Sequence, residues 1–147
     1  MVKFFSQGVR VNLANRKILK FYIESIFKKN RIGFTNLQYI FCNDAYLLSI
    51  NTIFLKHDFY TDIITFRLSE DNEPIEGEIY ISIDRVKENS ITCHTHFQEE
   101  LHRVIFHGAL HLCGFNDKTK TETAEMRKAE NKCLVQYFKL FHVKPSR

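Results

Sequence analysis

Tryptophan is absent from this 147-residue chain, and only two prolines and five glycines occur. Proline and glycine are the strongest punctuators of local structure. Their scarcity leaves no linker-like stretch, and no internal repeat or low-complexity segment divides the sequence. The length suggests one domain over residues 1–147, large enough for a core without covalent staples. Four cysteines (Cys42, Cys93, Cys113, Cys133) lie far apart with no C-x-x-C pair. That spacing removes the zinc-ribbon and thioredoxin readings. With no secretory pattern at the start, free thiols in a reducing cytoplasm are expected. No apolar run approaches membrane-spanning length, so no membrane partner is expected. Neither sign of charge dominates: the formal net charge is +4 and scattered. Such a balance permits a polyanionic partner without demanding one. What the chain does have is phenylalanine, fourteen of them, which favours an ordinary packed interior.

Hydrophobic periodicity gives alternating strands and helices. Val2 to Phe5 reads as a strand. Ala14, Ile18, Phe21, Tyr22, Ser25 and Ile26 recur at helical spacing, so Leu13 to Lys29 reads as an amphipathic helix. Leu37 to Cys42 reads as a strand, and Asn43 and Asp44 can cap a helix running to Ile53. Strands follow at Asp62 to Leu68 and Gly77 to Ile83, joined by a polar loop containing Pro74. Asp84 can cap a short helix to Asn89. Glu99 to Cys113 is a helix, and Thr119-Lys120-Thr121-Glu122 is a capping box opening a last helix to Phe141. Lys144 to Arg147 is a short basic tail expected to fray. The fold class expected is α+β: a mixed sheet of about four strands with packed helices.

Chemistry concentrates in His107-Gly108-Ala109-Leu110-His111-Leu112-Cys113-Gly114-Phe115-Asn116-Asp117. Residues four apart share a helix face, so His107 and His111 can share one metal ion. Gly114 can end the helix in a left-handed conformation. The reversed chain can then bring the Asp117 carboxylate to the same ion. Two imidazoles, one carboxylate and an open position describe a catalytic zinc site rather than a closed structural one. On a helical wheel Leu101, Val104, Ile105, Gly108 and Leu112 form one apolar stripe. Phe106 and Leu110 are apolar on the far side. A helix apolar nearly all round is central, so the histidines are expected at the core's edge, on the floor of a cleft. His102 falls about 140° from His107 on that wheel. His94 and His96 sit in a polar connection. None of the three is expected to bind metal.

The spacing follows the long zincin motif H-E-x-x-H-x-x-G-x-x-H, with two departures. Gly108 stands where metalloproteases carry the glutamate that activates the zinc-bound water. Asp117 stands where the third histidine usually sits, a mild change because both side chains bind zinc at similar distances.

The same residues resemble the YbeY family signature H-G-x-L-H-L-x-G-[YF]-x-[HD]. The resemblance extends to two further motifs in the right order. Ile50-Asn51-Thr52-Ile53-Phe54-Leu55-Lys56-His57-Asp58-Phe59-Tyr60-Thr61-Asp62-Ile63-Ile64-Thr65-Phe66 is similar to L-N-x-x-[FY]-x-x-x-D-x-x-T-D-[IV]-[IL]-[ST]-F. Gly77-Glu78-Ile79-Tyr80-Ile81-Ser82 is similar to G-[DE]-I-x-I-S. The resemblance implies a zinc-dependent endoribonuclease specific for single-stranded RNA. It further implies a part in 16S rRNA 3′-end maturation and late ribosome quality control, with ribosomal RNA and the small subunit as partners. Many members carry an arginine where this chain has Leu55, so that arginine's role does not transfer. Lys56, His57 or Arg67 can replace its charge, and nothing in the sequence chooses among them.

With no glutamate at 108, a proton acceptor must come from the zinc-activated water, a substrate group or His57. Glu78 can hydrogen-bond a metal-binding histidine from behind or be a solvated strand residue. Asp58 and Asp62 read chiefly as turn and strand-entry residues, and Thr61 and Thr65 as β-formers. Two rival readings stand beside the nuclease. One is a ribosome-assembly binding protein with a structural metal, which a fourth protein ligand would support. The other is a metalloprotease, which Gly108 opposes.

Overall fold

The computed structural model describes residues 1–140; the expected end of the last helix at Phe141 and the tail Lys144 to Arg147 lie outside the described residues. The described residues form four strands and five helices, in the order β-α-β-α-β-β-α-α-α. They are β1 Val2–Ser6, α1 Arg16–Lys29, β2 Phe34–Cys42, α2 Asp44–Leu55, β3 Ile63–Arg67, β4 Ile75–Ser82, α3 Ile83–Thr92, α4 Phe97–Leu112 and α5 Lys120–Leu140. The sheet runs β1-β2-β4-β3. β1 pairs parallel to β2, β2 parallel to β4, and β3 antiparallel to β4. The expected α+β class with a four-stranded mixed sheet is what forms.

Strand alternation divides the sheet into two faces. One carries Leu37, Tyr39, Ile79 and Ile81 into the main core, with Leu19, Ile23 and Phe27 of α1, most of α4, and Met126, Leu134 and Tyr137 of α5. The other carries Cys42 and Ile64 against Leu47 and Ile50 of α2, with Phe66 and Tyr80 beside them. Helix α4 is central, as its all-round apolar wheel predicts: Leu101, Ile105, Phe106 and Ala109 are fully buried. The Tyr39 hydroxyl on β2 donates to the Ile105 carbonyl at 2.8 Å and ties α4 to the sheet.

Several boundaries differ from expectation for identifiable reasons. α1 starts at Arg16 because Asn15 is left-handed, at φ 55. Its buried face is Leu19, Tyr22, Ile23, Ile26 and Phe27, while Phe21 is exposed. Two stripes one residue apart both satisfy helical spacing, and the one with more large aliphatic side chains faces the core. Ser82, not Asp84, caps α3 by accepting the Arg85 amide at 3.2 Å. Asp84 instead accepts the Asp44 amide at 2.9 Å at the start of α2. The Asn43 cap of α2 and the Thr119/Glu122 capping box form as expected.

Candidate metal centre

Gly108 fixes how α4 lies on the sheet. A Cβ there would meet Ile79 Cδ1 at 2.8 Å and Ile63 Cδ1 at 3.2 Å, so only glycine permits this approach. Position 108 therefore faces the sheet. The side chain at the place of the protease glutamate would be driven into β3 and β4 rather than into the cleft. One turn on, α4 ends as a Schellman motif: Phe115 N–H donates to Leu110 O at 3.1 Å, and Gly114 takes φ +107. That reversal carries Asp117 back alongside His107, and Thr123 holds its carbonyl at 3.0 Å.

These residues open onto a cleft of ≈ 530 Å³. His107, His111 and Asp117 line it, together with Asp62 from the entry to β3, Asn89 from α3, and Arg103, Arg127 and Glu130. His107 Nε2 faces Asp117 Oδ2 at 3.4 Å. His107 Nδ1 lies 2.7 Å from Glu130 Oε2. His111 Nδ1 lies 3.2 Å from the Phe115 carbonyl. A carbonyl can only accept, so His111 Nδ1 donates to it, the arrangement in which a neutral ring turns its lone pair out at Nε2. The Glu130 carboxylate selects the same arrangement on His107. Ligating histidines are held in this way, by an acceptor behind the far ring nitrogen.

The donor set passes a metal test in part. A tetrahedral site with bonds of about 2.0–2.1 Å has an edge of roughly 3.3 Å, close to the His107–Asp117 separation. His111 stands on the exposed rim of the same cleft. Among the described residues no three His, Cys, Asp or Glu side chains are drawn together as a closed set. The chemistry of these side chains suits zinc: His107 and Asp117 stand one such edge apart, and His111 lies one helical turn further along α4.

The electrostatics favour a cation at His107. Burial opposes its protonation, but the hydrogen bond to Glu130 and the charges of Glu130, Asp117 and Asp62 outweigh that and raise its pKa. Burial also raises the Asp62 carboxyl, against the opposing pull of His107 and backbone amides. Glu130 is itself only 6 % exposed. It is held by Arg103 at 3.2 Å, with Arg127 at 3.7 Å.

Glu130 is the residue that sequence reasoning missed. Its signal was a lone acid on the buried stripe of α5, between Met126 and Cys133, Leu134 and Tyr137. A charge on an apolar helix face calls for a buried partner. Glu78 does not stand behind a cleft histidine. Glu78 accepts the Tyr80 hydroxyl at 3.1 Å, and both alternate with Ile79 and Ile81, so they face away from α4. Asp62 and Thr61, read as turn and strand residues, reach the cleft; Thr65 does too.

The structure does not bring His57, Lys56 or Arg67 into the cleft. Lys56 is exposed in a left-handed conformation at the end of α2. His57 is exposed and stacks on Phe59, with centroids 5.0 Å apart. Arg67 braces the β3–β4 loop by donating to the carbonyls of Glu70 at 2.7 Å and Glu73 at 2.9 Å. His102 is buried in the core: Nδ1 donates to Gln98 O at 2.6 Å, and the ring stacks on Tyr137.

The family model described as Endoribonuclease YbeY matches residues 5–138. Endoribonuclease YbeY of Cytophaga hutchinsonii is 47% identical over 131 residues, covering 89% of this chain and 92% of the relative. The protein of that name from Porphyromonas gingivalis is 41% identical over 134 residues, covering 91% and 88%. The solution structure of TM1509 from Thermotoga maritima superposes with a TM-score of 0.68 at 28% identity, covering 99% of this chain and 94% of that one. On the match to nearly its whole length, this chain belongs to the YbeY endoribonuclease family.

Proposed function

We propose that the chain acts, as one domain, as a zinc-dependent endoribonuclease on single-stranded RNA, with His107, His111 and Asp117 as the metal ligands. The observation that carries this is the His107–Asp117 edge at 3.4 Å, braced from behind by Glu130, in an open cleft. When bound, zinc supplies Lewis acidity toward a phosphoryl oxygen and a lowered pKa for water. Glu130 and the Phe115 carbonyl hold the two imidazoles with Nε2 toward the cleft. Asp62, across from His107, is the carboxylate placed to accept a proton from the attacking water, and it replaces His57 in that role. Arg103 and Arg127 are the cations at the cleft for a phosphate. Lys56 and Arg67 lie outside it, so as RNA contacts they would meet nucleotides beyond the reacting one.

Membership of the family supports the further proposal that the RNA is the 16S rRNA 3′ end, matured in the cytoplasm with the small ribosomal subunit as partner and with a part in ribosome quality control. Among the described residues no helix is long and apolar enough to cross a membrane. A metalloprotease is disfavoured, since position 108 faces the sheet and cannot carry the general base. A structural-metal binding protein is disfavoured by the openness of the cleft. The decisive experiment is cleavage of an unstructured RNA by purified protein, by His111→Ala and by chelator-treated protein. Loss of cleavage in the last two supports the proposal. Cleavage undiminished in the variant refutes it.

A further inference from the structure

Contiguous exposed apolar surface marks an interaction site more often than a single exposed residue does. Here Phe59 and Tyr60 are 55% and 56% exposed, directly before the cleft residues Thr61 and Asp62. His57 lies nearly flat on Phe59, with planes 22° apart. Arg85 lies over the Tyr60 ring, 5.3 Å from its centroid. The connection that carries these rings is built rather than loose. The side-chain amide of Asn51, itself buried, donates to the Phe59 carbonyl at 2.9 Å, and the Thr52 hydroxyl donates to the His57 carbonyl at 3.1 Å. None of the three rings lies in either hydrophobic cluster, so core packing does not explain them.

The rings connect to the cleft along one face of α3. Arg85, Asn89 and Cys93 follow at four-residue spacing and so stand one above another. Arg85 touches Tyr60, while Asn89 and Cys93 line the cleft. Asn89 also reaches the Asp62 carboxylate at 3.5 Å. Aromatic faces, an arginine over one of them and a path along α3 to a cleft that holds Arg103 and Arg127 are the components of a single-strand stacking platform.

We propose that His57, Phe59 and Tyr60 form a base-stacking platform for single-stranded RNA, holding the nucleotides next to the one whose phosphate enters the cleft. This rests on the nuclease reading and supplies its strand selectivity. Bases inside a duplex are already stacked and paired, whereas unpaired bases can be laid on aromatic side chains.

The test is binding of a fluorescein-labelled single-stranded oligoadenylate, read by anisotropy, with a duplex of the same length and an oligomer carrying interior abasic sites as controls. Phe59→Ala and Tyr60→Ala should each weaken binding of the single strand by about tenfold, as loss of a stacked base does. Tyr60→Phe should bind as the wild type. The ratio of variant to wild-type affinity should stay constant as salt rises, because stacking releases no counterions. Abasic sites should weaken the wild type more than they weaken Tyr60→Ala, which has one stacking ring fewer to lose. Zinc content, measured alongside, should be the same in all variants. Wild-type protein that cleaves RNA while both alanine variants bind it undiminished would overturn the platform and leave the nuclease reading intact. Wild-type protein that neither binds nor cleaves single-stranded RNA would overturn both. Loss of self-association in the variants with RNA affinity retained would make the patch a protein interface instead, and would also overturn the platform.

Discussion

Replacing Glu130 should weaken zinc binding without removing any ligand. The carboxylate sits 2.7 Å from His107 Nδ1 and 3.2 Å from Arg103, and is almost wholly buried. At the proposed zinc site it would do two things: fix the tautomer that turns the Nε2 lone pair toward the cleft, and make the imidazole a better donor. Outer acceptors of this kind are worth about 10–100-fold in metal affinity, or roughly 1.4–2.8 kcal/mol at 1.4 kcal/mol per tenfold. Glu130→Gln keeps an oxygen acceptor and the volume but loses the charge, so it should fall at the tenfold end. Glu130→Ala loses the acceptor and frees the ring, so it should fall near a hundredfold. Among the described residues, alanine also leaves Arg103 hydrogen-bonded to Asn131 alone, at 2.8 Å. Losing a buried charged partner should lower metal-free stability by about 3 kcal/mol or more. Zinc titration against a competing chelator measures the first effect and thermal unfolding of the metal-free protein the second. Wild-type zinc affinity in Glu130→Ala would refute the bracing role. Equal losses in Gln and Ala would show that charge, not the hydrogen bond, is what matters.

Other outcomes follow from the same geometry. His107→Ala and His111→Ala should each lose stoichiometric zinc in elemental analysis, while Asp117→His should retain it, since both side chains are competent ligands; retention in both alanine variants would discard the site. Gly108→Glu should not create a peptidase. It should cost more than about 3 kcal/mol in thermal unfolding, because the side chain is forced against Ile79 and Ile63 with its charge unpaired. A wild-type melting temperature for that variant would show that α4 lies differently on the sheet. Asp62→Asn should lower the cleavage rate while leaving zinc content unchanged, and an undiminished rate would remove Asp62 as proton acceptor.

Local pattern alone determined much of this protein. The helix carrying His107 and His111, its termination at Gly114, the caps at Asn43 and Thr119, and the four strand segments all rest on periodicity and turn chemistry between near neighbours, whereas the order in which those strands pair does not. Those forces act within a few residues and are legible in order along the chain. Asp117 was legible for the same reason, since one tight reversal separates it from His111. Contacts between distant elements were decided only by the tertiary structure. Glu130 lies twenty-three positions beyond His107 and reaches it because α5 docks on α4. Asp62 enters the cleft because β3 pairs with β4, and Glu78 leaves it because β4 presents alternate residues to opposite faces. His57 and Arg67 carry suitable chemistry, but side-chain type does not fix position. Packing put one on an exposed aromatic surface and used the other to brace a loop. Gly108 shows both levels at once: the sequence reveals a missing glutamate, and the fold supplies the reason, a helix lying too close to the sheet for any side chain there.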